Sequence, residues 1–210
     1  MNKKIYIIAF CMISSICLIL FVFFAYKKSN LGNNISKSDD NNILNISSYD
    51  ATVEIEVYSN KNTNKYVLKQ QYFAPNIFKQ KVLEPENIKG LTTTFDGTNL
   101  TIQNKSLSLQ TLYEDYNVAQ GNSLSLISFI EEYKDNEYAE ITETDDEIII
   151  KIELKNRSKY EKYKKLYISK NNKLPVKMEI FDINQNRTVY ILYREIKINK
   201  TSKEDILAKK

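Results

Sequence analysis

The chain has 210 residues, a formal charge of +4, two cysteines and no histidine, a length that suits one domain of ordinary size and not two. Cys11 and Cys17 both lie in the apolar N-terminal run, so the rest of the chain has neither a disulfide nor a thiolate. Without histidine it also lacks the usual ligands for zinc, copper or haem and the base of Cys-His or Ser-His catalysis. Lys3, Lys4, Lys27 and Lys28 flank that run, and the remaining lysines and arginines balance the 26 acidic residues; a broad basic surface for nucleic acid is not suggested.

Residues 5–25 are apolar except for Ser14 and Ser15. At ~1.5 Å per residue this run spans roughly 30 Å, the thickness of a bilayer's hydrocarbon core. It is long for a signal-peptide core, and Phe24-Ala25-Tyr26 offers a poor cleavage site. Residues 1–28 therefore read as a membrane anchor or signal segment, with an uncleaved anchor favoured. Residues 29–42, rich in Ser, Asn, Asp and Lys, read as a flexible tether. Ile43, Leu44 and Ile46 suggest a short helix before the first strand.

Along residues 49–57 apolar and polar positions alternate: Ala51, Val53, Ile55 and Val57 fall on one face, Asp50, Thr52, Glu54 and Glu56 on the other. Residues 66–112 read as consecutive hairpins broken at Pro75, Pro85, Gly90 and Asp96-Gly97. Tyr66, Leu68 and Tyr72 share one strand face, Val67 and Phe73 the other. Residues 123–133 predict a helix with Leu124, Ile127, Phe129 and Ile130 on one side and Ser123 or Asn122 as its cap. Further alternating stretches at 147–154, 174–181 and 188–198 predict strands, with turns at Asn171-Asn172 and 184–186. Residues 201–210 read as a polar tail.

The acidic groups Glu131-Glu132, Glu114-Asp115 and Asp145-Asp146-Glu147 read as solvated charge, since none has calcium-loop spacing. The run of residues 159–165 mixes lysine and tyrosine but is interrupted by Glu161; it reads as a wet hairpin edge. Fifteen tyrosines against nine phenylalanines suit a half-exposed sheet face or a protein-binding surface. No catalytic residue, metal ligand or cofactor is assigned.

Pro75, residues 78–83, Glu84-Pro85, Gly90 and Phe95-Asp96-Gly97 together resemble the LolA-like family. The Asn-, Lys- and Ile-rich composition and the N-terminal apolar run resemble its Gram-positive, spore-former branch, which includes the germination lipoprotein GerS. The resemblance implies an α+β fold over residues 43–200: a curved antiparallel β-sheet, an open half-barrel, with helices on its concave face, preceded by the transmembrane segment. It implies a non-enzymatic protein anchored at a membrane with its domain outside the cytoplasm, in the forespore intermembrane space or at the cell surface. There it would bind and support a cortex-modifying N-acetylmuramoyl-L-alanine amidase of the CwlD type in spore germination. The alternative is a carrier of lipid or lipoprotein in an apolar groove, lined by Ala51, Val53, Ile55 and Val57 unless Phe78, Phe95 and Phe129 fill it. Lipidation in this branch falls on a cysteine after a small residue, whereas Cys17 follows Ser14-Ser15-Ile16; it is the candidate position but departs from the pattern. Unpaired strand edges would permit a homodimer by strand exchange.

Overall fold

In the computed structural model, residues 44–116, 123–136, 138–155 and 158–208 are described. The apolar run at 5–25, the tether at 29–42, Cys11, Cys17 and Ile43 lie outside them. Among the described residues no helix is long and apolar enough to cross a membrane.

Strand β1 (Ser48–Tyr58) follows the alternation expected of it, with Tyr49, Ala51, Val53 and Ile55 buried and Asp50, Thr52, Glu54 and Glu56 turned the other way. From β1 the chain lays down β2 (Thr63–Phe73), β3 (Ile77–Glu84), β4 (Thr92–Phe95), β5 (Leu100–Asn104) and β6 (Leu109–Tyr113). Five more strands follow: β7 (Ala139–Glu143), β8 (Glu147–Glu153), β9 (Tyr163–Ser169), β10 (Pro175–Phe181) and β11 (Arg187–Ile198). All eleven belong to one open antiparallel sheet, ordered β6-β5-β4-β3-β2-β1-β11-β10-β9-β8-β7.

The hairpin turns have local causes. At Asp96-Gly97 the Asp96 Oδ1 accepts from the backbone N–H of Thr98 at 3.0 Å and of Asn99 at 2.8 Å, an Asx turn. Gly97 has φ of +105°, and a Cβ there would stand 3.3 Å from Asn76 Oδ1, so glycine suits the position twice over. Lys173 and Gln185 take positive φ in the turns before β10 and β11. Pro75 and Pro85, both after cis peptide bonds, end β2 and β3.

Six strands run outward from β1 to one edge and five run inward from the opposite edge. The link between β6 and β7 must therefore cross a face of the sheet. Helix α1 (Leu126–Lys134) lies in that link, and Leu126, Phe129, Ile130 and Tyr133, spaced along one helical stripe, are buried. Each such side chain contributes about 1.5–3 kcal/mol on transfer from water. The sheet answers with a lateral row in direct register, Ile141, Ile150, Leu166, Met178, Ile191 and Ile55, continued by Tyr66. This is the inner face, and it joins α1 in one core.

The outer face accounts for some of the tyrosines, and others, such as Tyr49, Tyr72, Tyr133 and Tyr193, are buried in the core. Half-buried rings there carry cations: Lys151 over Tyr163, Lys177 over Tyr167, and Arg187 over both Tyr58 and Tyr190. The Tyr58 and Tyr167 hydroxyls donate to Glu56 and Glu179 at 2.5 and 2.7 Å, so ring and hydroxyl are both used.

The structure corrects several expectations. The helix starts at Leu126 and its cap is Ser125, whose Oγ accepts from Ser128 N–H at 3.2 Å. Leu44 and Ile46 are buried but form no helix. Tyr163–Ser169 is no hairpin edge: β9 lies between β8 and β10, and Lys164 points inward. Helices do not all share the concave side, because a second helix, α2 (Lys203–Leu207), lies against β2 and β3 on the outer face. It falls in the segment read as a polar tail, begins with a Ser202/Asp205 capping box and buries Ile206. Lys79 Nζ donates to the carbonyls of Ile206 and Ala208 at 3.0 and 3.1 Å, satisfying the helix end.

Candidate functional site

Among the described residues, three features of the fold can meet another molecule: the seam between α1 and the inner face, an open cavity at the β1–β2 and β10–β11 turns, and the edge at β6.

At the seam, the four residues proposed from sequence to line a groove are placed as core. Ala51, Val53 and Ile55 are fully buried in the cluster that includes α1, and Val57 packs half-buried at its margin. Phe95 and Phe129 are buried, and Phe78 packs against Phe95 with ring centroids 5.6 Å apart. Between α1 and strands β2 and β3 a cavity of about 90 Å³ remains. Its walls include Tyr49, Gln70, Tyr72 and Phe78 from the sheet and Ile127 and Glu131 from the helix; of the four sequence-proposed residues, Val57 alone lines a cavity, a second and open one of about 870 Å³ at the β1–β2 and β10–β11 turns.

The cavity walls are chemically mixed. Tyr49 and Tyr72 stack with centroids 5.9 Å apart. Tyr72 OH donates to the Pro75 carbonyl at 2.8 Å, and burial pushes its pKa up to about 12. Burial also raises Tyr49, against a backbone hydrogen bond from Leu126; both phenols stay neutral at physiological pH. Tyr49 OH lies 3.4 Å from Gln70 Oε1, while Gln70 Nε2 is buried without a hydrogen-bond partner. Glu131 is solvent-exposed at the mouth, and partial desolvation, with the neighbouring Glu132 charge second, raises its carboxyl above the ordinary value. Its neighbour Glu132 is not simply solvated: it ion-pairs with the buried Lys164 at 2.6 Å. The other acidic pairs, Glu114-Asp115 and Asp145-Asp146, are exposed as expected. Among the described residues no group of three or more acidic or cysteine side chains comes together as a metal site.

The two sheet edges differ. On β7, Glu140 and Glu143 pair with Lys151 at 3.0 Å and Lys170 at 2.8 Å, charge that discourages further strand pairing. On β6, Leu109, Leu112 and Tyr113 are 42%, 52% and 47% exposed, and Leu107 stands out just before them. One edge of β6 pairs with β5, and among the described residues no strand pairs with the other. Sequence reasoning named neither this edge nor Gln70. The signals were a Leu-Gln-Thr-Leu-Tyr stretch after the last recognised hairpin, and a glutamine in register with apolar inward positions.

A family model described as "Sporulation protein YdcC-like" matches residues 3–207. No match is found among curated proteins. Among solved structures, one match is to the CwlD amidase from Clostridioides difficile in complex with the GerS lipoprotein, at 23% identity and TM-score 0.49, covering 76% of this chain and 91% of that one. Another is an uncharacterized conserved protein from Thermus thermophilus, at 10% identity and TM-score 0.51, with coverages of 82% and 91%. A third is the LolA superfamily protein NE2245 from Nitrosomonas europaea, at 11% identity and TM-score 0.37, with coverages of 78% and 91%. The likeness to LolA-like proteins and to GerS first read at the turns thus reappears among the matches.

Proposed function

The chain belongs to the YdcC-like family of sporulation proteins, and we propose that it acts there as a non-enzymatic binding protein that engages and supports a partner in the cell envelope. The observation that carries this reading is the filled hollow. A carrier needs room for an acyl chain, and ligand pockets are typically about 300–1,000 Å³. Here Phe129 and the aliphatic row fill the space under α1 and leave about 90 Å³ there, while the larger cavity of about 870 Å³ at the β1–β2 and β10–β11 turns is open and lined mainly by polar and charged side chains, unsuited to an acyl chain.

The partner is the one the sequence resemblance implies, a cortex-modifying amidase of the CwlD type. The amidase supplies the bond-breaking chemistry, and this chain supplies a rigid surface that stabilises the active conformation by binding it preferentially. The apolar β6 edge is the surface best suited to the contact, through free backbone groups and exposed leucines. The same edge permits a homodimer. The apolar run at residues 5–25, flanked by lysines, tethers the domain to a membrane on its outer side.

The full chain, purified in detergent, is expected to co-elute with a CwlD-type amidase and to raise its activity on muropeptides. Absence of binding, together with extraction of a fluorescent fatty acid by the chain, would replace this reading with the carrier.

A further inference from the structure

The cavity between α1 and β2/β3 has an unsatisfied hydrogen-bonding requirement. Gln70 is 3% exposed. Tyr49 OH donates to Gln70 Oε1 at 3.4 Å. The amide oxygen is thus used, and the Nε2 donor is left buried and unpaired. An unpaired buried donor is destabilising, and a ligand's acceptor would offset that cost. At the mouth stands Glu131, an acceptor whose carboxylate is not engaged by the lysines that hold its neighbours. The wall between them is aromatic, formed by Tyr72 and Phe78.

Size narrows the choice. At about 30 Å³ per water, the cavity of about 90 Å³ has the volume of roughly three waters, so it takes a small terminal group and not a sugar ring. That group needs one acceptor for Gln70, one donor for Glu131 and an apolar end for the rings. A carboxylate fits the first and is repelled by the second. An ammonium has no acceptor. A main-chain peptide amide carries chain on both sides and cannot enter end-on. A terminal acetamido group has a carbonyl oxygen, an N–H and a methyl, and attaches to the rest of its molecule by the nitrogen alone.

We propose that this cavity is a binding site for the acetamido group of an N-acetylated amino sugar, with the sugar ring outside, over the mouth formed by Phe78 and Glu131. The carbonyl accepts from Gln70 Nε2, the N–H donates to the Glu131 carboxylate, and the methyl packs on the aromatic wall. The site goes beyond partner binding and does not depend on it.

The test uses the full chain in a detergent without a sugar headgroup and no amidase. N,N′-diacetylchitobiose is titrated by calorimetry beside its deacetylated counterpart and beside N-acetylalanine N-methylamide as a peptide amide. The expected result is saturable binding of the acetylated sugar, at least tenfold stronger than of the other two. Glu131→Ala, which removes the acceptor, and Ile127→Phe, which fills the cavity from the half-buried helix side, are each expected to weaken it at least tenfold with unchanged Tm. Equal binding of both sugars, no binding, binding undiminished in Ile127→Phe, or preference for the peptide amide would each overturn the proposal. A variant with lowered Tm is replaced by Ile127→Met, for which a smaller loss in the same direction is expected and unchanged binding counts against the site.

Discussion

Lys164 on β9 and Glu132 on α1 meet at 2.6 Å with the lysine side chain wholly buried, and the ammonium also donates to Ser128 Oγ at 3.1 Å. The pair ties the crossing helix to the sheet at a fixed position, because Ser128 and Glu132 are one helical turn apart and share a face. Glu132→Leu removes the carboxylate and leaves a buried cation poorly compensated, which costs about 3–5 kcal/mol. The double variant Lys164→Met, Glu132→Leu should recover most of that loss, since an apolar pair of similar volume has no charge to desolvate. Urea unfolding of the two variants measures the difference; equal destabilisation by both would show that the pair holds the helix by its charge.

The pH response should have two components of opposite sign. Glu179 has its carboxyl held below the ordinary range: burial acts to raise it, but hydrogen bonds from Tyr167 OH and Arg187 Nη1, both at 2.7 Å, and the Arg187 charge outweigh that. Its folded pKa lies below the unfolded one, so its contribution is present above the unfolded carboxylate range and lost as pH falls through the folded value. Glu131 is raised, so the folded chain gains stability relative to neutral pH as Glu131 takes up its proton. Glu179→Gln is expected to destabilise at pH 7 and have less effect at pH 3. Glu131→Gln is expected to stabilise slightly at pH 7 and to be neutral at pH 3. Thermal melts across pH 3–7 check both signs.

Local chemistry made much of the fold legible in the sequence. The alternation of β1 follows from one buried and one wet face, and the Asp96-Gly97 turn follows from an Asx bond and a positive φ. What joins distant segments was not legible. The pairing of β1 with β11 brings Val53 beside Tyr193, a contact that no local pattern specifies. Lys164 falls at an inward position between Ile152 and Ile180, yet within its own run it reads as one wet lysine among several; only Glu132, far off in sequence, explains its burial. The cavity was missed for the same reason, because Gln70 and Glu131 come together only when α1 crosses the sheet.

Asn199 fastens the two ends of the sheet's central pair. Its Oδ1 accepts from Ser47 N–H at 2.8 Å, Ser47 Oγ at 3.0 Å and Ser48 N–H at 3.2 Å, and its Nδ2 donates to the Asn45 carbonyl at 3.1 Å. Its φ is +56°, a conformation that asparagine and glycine tolerate better than other residues. Asn199→Gly should cost about 1–3 kcal/mol through lost hydrogen bonds. Asn199→Ala should cost roughly 1 kcal/mol more, because a Cβ without a hydrogen-bonding side chain gains nothing in the left-handed region. Denaturant midpoints of the two variants rank them, and equal values would mean that backbone strain is negligible here.

The β6 edge offers the sharpest separation of function from stability. Leu109 and Leu112 are exposed on a strand that pairs on one side only, so replacing them removes little buried area. Surface changes of this kind usually fall within about 0.5 kcal/mol. Leu109→Lys and Leu112→Lys should therefore leave Tm nearly unchanged. The same charges sit where an incoming strand would have to desolvate them, much as Glu140 and Glu143 already guard β7. Binding of a CwlD-type amidase to the double variant should weaken at least tenfold, read by co-elution or surface plasmon resonance. Matching lysines at the exposed turn positions Asn171 and Ile183, in the half of the sheet away from β6, should leave it unaltered. Full binding by the β6 double variant would move the docking surface elsewhere on the sheet, and weakening by the control variants would show a loss driven by net charge and not by the edge.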